Sequence, residues 1–129
     1  MDNSNIALSK YRLNRAKEDL ESAQKNLSLG EYKTSTNRSY YSMFHAARAL
    51  LALRGIDFKK HSGVISYLNK EFIKPGLLPK ELSVYITGAS KIRQLSDYDD
   101  FFIATKEEAE KQLESAKNFV GLVGEYLSV

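Results

Sequence analysis

The sequence predicts an all-α fold, an up-and-down antiparallel helical bundle of four long helices plus a short one. Three observations carry this expectation. Apolar residues recur at alternating steps of three and four along most of the 129 residues. Gly30, Gly55, the Pro75-Gly76 pair and Pro79 cut the chain into helix-length pieces. No segment alternates with period two for long enough to suggest a strand.

The first piece, about 4–29, places Leu13, Ala16, Leu20, Ala23 and Leu27 on one helical face, and Gly30 follows where a left-handed C-terminal residue is expected. The second, about 31–54, carries two stripes. Tyr40, Phe44, Ala47 and Leu51 form an apolar one; Arg38, Tyr41, His45 and Arg48 form a polar one at the same spacing, and Gly55 stops the helix. A short third helix is expected from Ser62, as N-cap, to about Phe72, with Val64, Ile65, Leu68 and Phe72 facing inward. After a loop over 74–79, Pro79 sits at or near the first turn of a fourth helix. Its period is set by Leu82, Tyr85, Ile86, Ala89 and Ile92, and its end is expected between 96 and 100. Thr105 and Glu108 make a capping-box pattern for the fifth, which continues through Ala109, Leu113, Ala116, Val120, Val123 and Leu127.

Composition supports one domain over 1–129. Hydrophobic residues are 43% and charged residues 27%, enough apolar content for one core and far from a disordered chain. The absence of cysteine excludes disulfides and thiolate metal sites and suits a reducing cytoplasm. The opening Met1-Asp2-Asn3-Ser4-Asn5 lacks the basic and apolar regions of a secretory leader, and no apolar run is long enough to span a bilayer. A cytoplasmic location without membrane contact is therefore expected. The net charge of +3 permits an anionic partner without announcing one.

The polar stripe is the first candidate site. Arg38 and His45 differ by only ~20° around a helix axis and lie ~10 Å apart along it. At that separation they would meet only through Tyr41 or a ligand. A guanidinium fork and an imidazole on one face suit a phosphate. Half-buried side chains that satisfy their tips locally, or a homodimer interface, would give the same pattern.

The second candidate runs from Arg93 to Asp100. Arg93 and Asp97 have the spacing of an intrahelical ion pair. Asp97, Asp99 and Asp100 are a weak pattern for Mg²⁺ and more simply a solvated loop, with Tyr98, Phe101 and Phe102 expected to anchor it to the bundle. The third is His61, expected just before a helix start beside Lys59 and Lys60, where backbone donors suit a phosphate or sulfate. With two histidines far apart, no metal is expected. With no Gly-rich phosphate loop and no nucleophile elbow, neither is a cofactor.

Taken together, Gly30-Glu31-Tyr32 and the run Asn37-Arg38-Ser39-Tyr40-Tyr41-Ser42-Met43-Phe44-His45-Ala46-Ala47-Arg48-Ala49-Leu50-Leu51 resemble the HEPN domain family (higher eukaryotes and prokaryotes nucleotide-binding). Lys60-His61-Ser62-Gly63-Val64 and Arg93-Gln94-Leu95-Ser96-Asp97-Tyr98 match its single-domain prokaryotic subgroup in order and spacing. The resemblance implies a homodimeric helical bundle that binds RNA or a nucleotide. It also implies a minimal nucleotidyltransferase partner in a toxin–antitoxin-like pair. Many members are metal-independent endoribonucleases built on an Arg-x4–6-His motif, the histidine moving a proton and the arginine stabilising charge at phosphorus.

In this sequence the corresponding stretch reads Arg93-x3-Asp97-Tyr98, with Asp97 in place of the histidine, and a carboxylate repels phosphate. Arg38 and His45 keep a six-residue Arg/His spacing, but on the earlier helix. The resemblance thus points to Arg38, Tyr41, Arg93 and His61 for phosphate contact. It points to His45 with Arg38 for proton transfer, and to Asn37, Asp97 and Tyr98 as motif residues, Tyr98 as an acceptor for modification by the partner. The rival reading is a non-catalytic homodimeric interaction or regulatory module in which the stripe over 38–48 is interface.

Overall fold

In the computed structural model, residues 3–128 are described; the leader reading at Met1 and Asp2 and the outer bounds of the 1–129 domain lie outside them. The helices are α1 (Asn3–Ser28), α2 (Tyr32–Leu53), α3 (His61–Leu68), α4 (Glu81–Tyr98) and α5 (Lys106–Leu127). This is the expected all-α bundle, four long helices and a short one, with no strand among the described residues.

α2 is the central helix. It packs against α1, α3, α4 and α5 and supplies Tyr40, Met43, Leu50 and Leu51 to the core, all fully buried. Small residues on the same helix allow close approach. Ser35 Oγ donates to the Ala23 carbonyl and Ser9 Oγ to the Ala49 carbonyl, each at 2.8 Å, so two buried hydroxyls tie α1 to α2. Leu68 and Phe72, Leu82 and Ile86, and Phe119 and Val123 close the core from the other elements. Among the described residues no helix is long and apolar enough to cross a membrane.

The start and stop signals at Thr105 and Gly55 act as expected. Gly55 has φ of 68°, its N–H reaches the Ala52 carbonyl, and Ile56 N–H reaches the Leu51 carbonyl, the paired bonds of a Schellman turn. Thr105 Oγ1 accepts from the Glu108 N–H at 3.2 Å.

Two expectations fail. Ser62 is not the N-cap of α3. Lys60, with an extended backbone, fills that position, and its carbonyl takes the Gly63 and Val64 N–H groups. His61 is thereby the first helical residue rather than a loop residue before the helix. The stretch Asn69–Ile73 continues the helix with wider π-type bonding, Lys74 N–H reaching the Asn69 carbonyl at 2.8 Å. The second failure is the loop after α4. Tyr98 is 83% exposed and Phe101 91%, so these aromatics stand in solvent instead of anchoring the loop; Phe102 is half-buried. Asp99 shapes the turn locally, accepting the Phe101 N–H on its carboxylate and the Phe102 N–H on its carbonyl.

A candidate basic and aromatic site on the central helix

The polar stripe of α2 does form one face, and all four of its side chains are half-buried. It divides into stations with different partners. At the first, Asp19 of α1 joins Arg38 and His45. Its Oδ1 accepts from Arg38 at 3.0 Å, and its Oδ2 lies 3.6 Å from His45 Nε2. Tyr41 bridges the two stripe residues as expected, 5.0 Å from the Arg38 guanidinium and 6.2 Å between ring centres from His45, and a carboxylate from the neighbouring helix adds a second link. Burial lowers the His45 pKa, with the Arg15, Arg48 and Arg38 charges acting the same way against Asp19. Its ring is neutral at pH 7. Asn37 also sits on α2, half-buried, with its amide oxygen unpaired among the described residues.

Arg48 belongs to a second station. It grips Asp57 through Nη2 at 2.8 Å and Nε at 3.3 Å, while Arg12 reaches the same carboxylate at 3.0 Å. Burial alone would raise the Asp57 pKa. The Arg48 hydrogen bond, the Phe58 N–H and the two guanidinium charges outweigh it and hold the carboxyl below its usual range. This network fastens the α2–α3 connection onto α1 and α2.

The third station gathers His61, Tyr40, Phe44, Tyr41 and Arg93 from three helices. The Tyr40 hydroxyl lies 2.7 Å from His61 Nδ1, and the imidazole stacks on Phe44 with ring centres 4.0 Å apart. Arg93 stands over both Tyr40 and Tyr41, at 5.5 and 5.6 Å from the ring centres, and Arg38 lies 5.0 Å from the Tyr41 ring. Burial pushes the Tyr40 phenol up to about 12, so it stays protonated. Burial also lowers the His61 pKa, helped by the Arg93 and Arg48 charges. A neutral imidazole results. Nδ1 is engaged by Tyr40, and no described residue is hydrogen-bonded to Nε2.

His61 lines two open clefts. One, of about 390 Å³, also has Phe44, Arg48 with its partner Asp57, Phe58 and Lys59 in its walls. The other, of about 350 Å³, has Arg93 and Lys91 with the hydroxyls of Ser62, Thr87 and Ser90. Guanidinium, ammonium and hydroxyl donors around stacked rings are the equipment for holding a phosphate beside a flat base. Gly63 contributes by lacking a side chain, since a Cβ there would lie 2.9 Å from Phe58.

The structure thus brings Arg38, Tyr41, Arg93 and His61 to one face, with His45 beside them and facing Asp19. Arg93 and Asp97 make the expected pair at 3.7 Å. Tyr98 projects from the last turn of α4. Asp19, Tyr40 and Phe44 are the members that the sequence reading missed as site residues. Tyr40 and Phe44 were assigned only to the apolar stripe, and Asp19 has no neighbouring motif to mark it. Among the described residues, no group of three or more metal-ligating side chains could hold a metal ion.

The sequence profile of the HEPN domain matches residues 9–126. The chain is 41% identical over 115 residues to "Putative toxin MJ0142" of Methanocaldococcus jannaschii, covering 84% of this chain and 78% of that protein. It is 32% identical over 113 residues to a UPF0332 protein of Thermotoga maritima, covering 88% and 86%. The crystal structure of TT1696 from Thermus thermophilus shares the fold, with a TM-score of 0.77 at 23% identity over 92% of this chain and 97% of that one. The chain belongs to the HEPN domain family.

Proposed function

We propose that this HEPN protein binds RNA or a nucleotide on the face centred on His61 and Arg93, and that it is the toxin-like half of a pair with a minimal nucleotidyltransferase. One observation carries the reading. A neutral imidazole, fixed by Tyr40 and stacked on Phe44, lies between two clefts that each carry cationic side chains. Arg93, Arg38 and Tyr41 contact the phosphate, and the ring faces of the cluster receive the base. The name of the Methanocaldococcus relative supports the toxin-like role. Tyr98, 83% exposed, is accessible as an acceptor for modification by the partner.

In the ribonuclease form of this proposal, a histidine takes the proton from an RNA 2′-OH as the 2′ oxygen bonds to phosphorus. The 5′ oxygen leaves with a proton from water, and Arg93 or Arg38 stabilises the charge on the phosphoryl oxygens. His61 is the imidazole with a nitrogen open to a cleft; His45 acts from its place beside Asp19. The homodimer uses the solvent-facing Leu95, Phe101 and Ile103, apolar side chains at the end of α4 and in the loop after it.

The non-catalytic reading has its own support. Arg38 and Arg48 are both committed to carboxylates, as an interface or a scaffold would require.

The test incubates the purified protein with structured and unstructured RNA in EDTA, beside Arg93→Ala, Arg38→Ala, His61→Gln and His45→Ala. Salt-dependent binding about tenfold weaker in Arg93→Ala is expected, with cleavage lost in His61→Gln. Binding without cleavage in the wild type selects the non-catalytic reading, and no binding at all removes the RNA function.

A further inference from the structure

α1 and α5 leave a groove between them that none of the stations above uses. It has a volume of about 570 Å³ and is lined by Lys10, Lys17 and Lys117 with apolar and small residues, and by no carboxylate among the described residues. On α1, Ile6, Lys10, Leu13, Lys17 and Leu20 follow one another at steps of four, three, four and three. Apolar and basic positions therefore alternate along one seam of 3.5-residue period. On α5 the facing seam is Lys117, Val120, Gly121, Gly124 and Leu127. Leu53 of α2 lies in the groove between them.

Ile6, Leu13 and Leu20 are only half-buried, although they occupy the positions that a coiled-coil seam uses for its knobs. A Cβ placed at Gly121 or Gly124 would meet nothing within 4 Å, so an incoming backbone can approach α5 closely there. The three lysines are exposed and none forms an ion pair with a described carboxylate.

We infer that this groove is a docking site for an acidic amphipathic helix of another protein. The occupant lays an apolar stripe along the two seams and sets Asp or Glu against Lys10, Lys17 and Lys117. The span from Ile6 to Leu20 corresponds to ~21 Å of helix, which sets the length of the docked segment at about four turns. A second copy of this chain presenting the same groove would set lysine against lysine, so the charge pattern selects a different, acidic partner. The inference is independent of RNA binding, because the groove shares no lining residue with the two clefts at His61.

The test uses two fluorescein-labelled 16-residue helical peptides with leucine at the heptad a and d positions, one with glutamate at e and g and the other with lysine. Fluorescence anisotropy with the full chain should show saturable binding of the glutamate peptide only. Hydrogen exchange should slow at 6–20 and 117–128. Lys10→Glu combined with Lys17→Glu should weaken that peptide at least tenfold and admit the lysine peptide. Gly124→Leu, which fills open space and leaves the bundle intact by thermal unfolding, should weaken it similarly. Equal binding of both peptides, no saturable binding, or no effect of Gly124→Leu would overturn the inference. So would displacement of the glutamate peptide by dodecanoate to the same extent in wild type and in the lysine variant, which would make the groove a lipid site.

Discussion

His45 and His61 are the only histidines of the chain, and their surroundings differ in a way that separates scaffold from site. His45 lies on the aligned stripe of α2. Its side chain is 14% exposed, with Nε2 directed to the buried Asp19 and three arginines nearby. His61 lies off the stripe, at the first turn of α3, yet Tyr40 and Phe44 fix its ring between two open clefts. Both rings are neutral at pH 7 because burial opposes their charge, but only His61 lines the two open clefts. Alignment along a helix says which side chains share a face. The partners brought by other helices decide which of them remain available.

The largest expected effect comes from Phe44→Ala, which acts on both regions. Phe44 is 6% exposed, belongs to the core and carries the His61 ring. Removing it should cost ~3–4 kcal/mol of stability in urea unfolding and abolish RNA binding where the protein is still folded. Intact binding by folded Phe44→Ala protein would show that the stacked imidazole is not the centre of the site.

Asp19→Ala should follow, at ~2 kcal/mol. The loss takes the Arg38 guanidinium's acceptor and the carboxylate facing the half-buried His45 imidazole, and it is discounted because the Arg38 side chain is 36% exposed. RNA affinity should change less than about twofold if the Asp19 station is scaffold. A tenfold loss of affinity without loss of fold would move the site to the Asp19 station and restore His45 to its centre.

These substitutions also mark what was legible in the sequence. Gly55 and Thr105 announced their caps because capping is local: the signal and the structure it makes lie within a few residues. The stripe from Arg38 to Arg48 was legible for the same reason, since helix periodicity alone places those residues on one face. Asp19 and Tyr40 were not legible as partners, because Asp19–Arg38 and Tyr40–His61 span 19 and 21 residues and depend on how the helices pack. Tyr40 carried a further ambiguity: its ring fits an apolar stripe, and only the packed structure reveals what its hydroxyl meets. In the loop after α4 no period existed to say which way Tyr98 and Phe101 face, and they face solvent.

Arg93→Ala and His61→Gln should change stability by less than ~1 kcal/mol, since both side chains sit partly in solvent. Their effect should be on ligand. Each should weaken RNA or nucleotide binding about tenfold, the loss of one charge-assisted or stacking contact. Arg93→Ala should also flatten the salt dependence of binding, whereas His61→Gln should leave it unchanged, because a neutral imidazole releases no counterion. Equal changes of salt slope in the two variants would mean that His61 binds as a cation.

The smallest expected effect is the response of stability to pH, and it sharpens the contrast between the two rings. Each histidine has a folded-state pKa below 6.5, so between that lower value and 6.5 the unfolded chain binds more protons than the folded one. Stability is therefore full above pH 6.5 and falls as pH drops through the folded-state values. Asp57 adds a separate loss only at more acidic pH, because its folded pKa lies below 3.8. Thermal midpoints at pH 7.5, 6.5 and 5.5 should fall in that order, and His45→Gln and His61→Gln should each reduce the slope. Adding RNA separates the two. A ligand that contacts His61 through hydrogen bonds and phosphate charge favours its protonation, so bound RNA should shrink the His61 contribution to the slope and leave that of His45 in place. Equal shrinkage of both would place the ligand across Asp19 as well, and the two stations would then act as one.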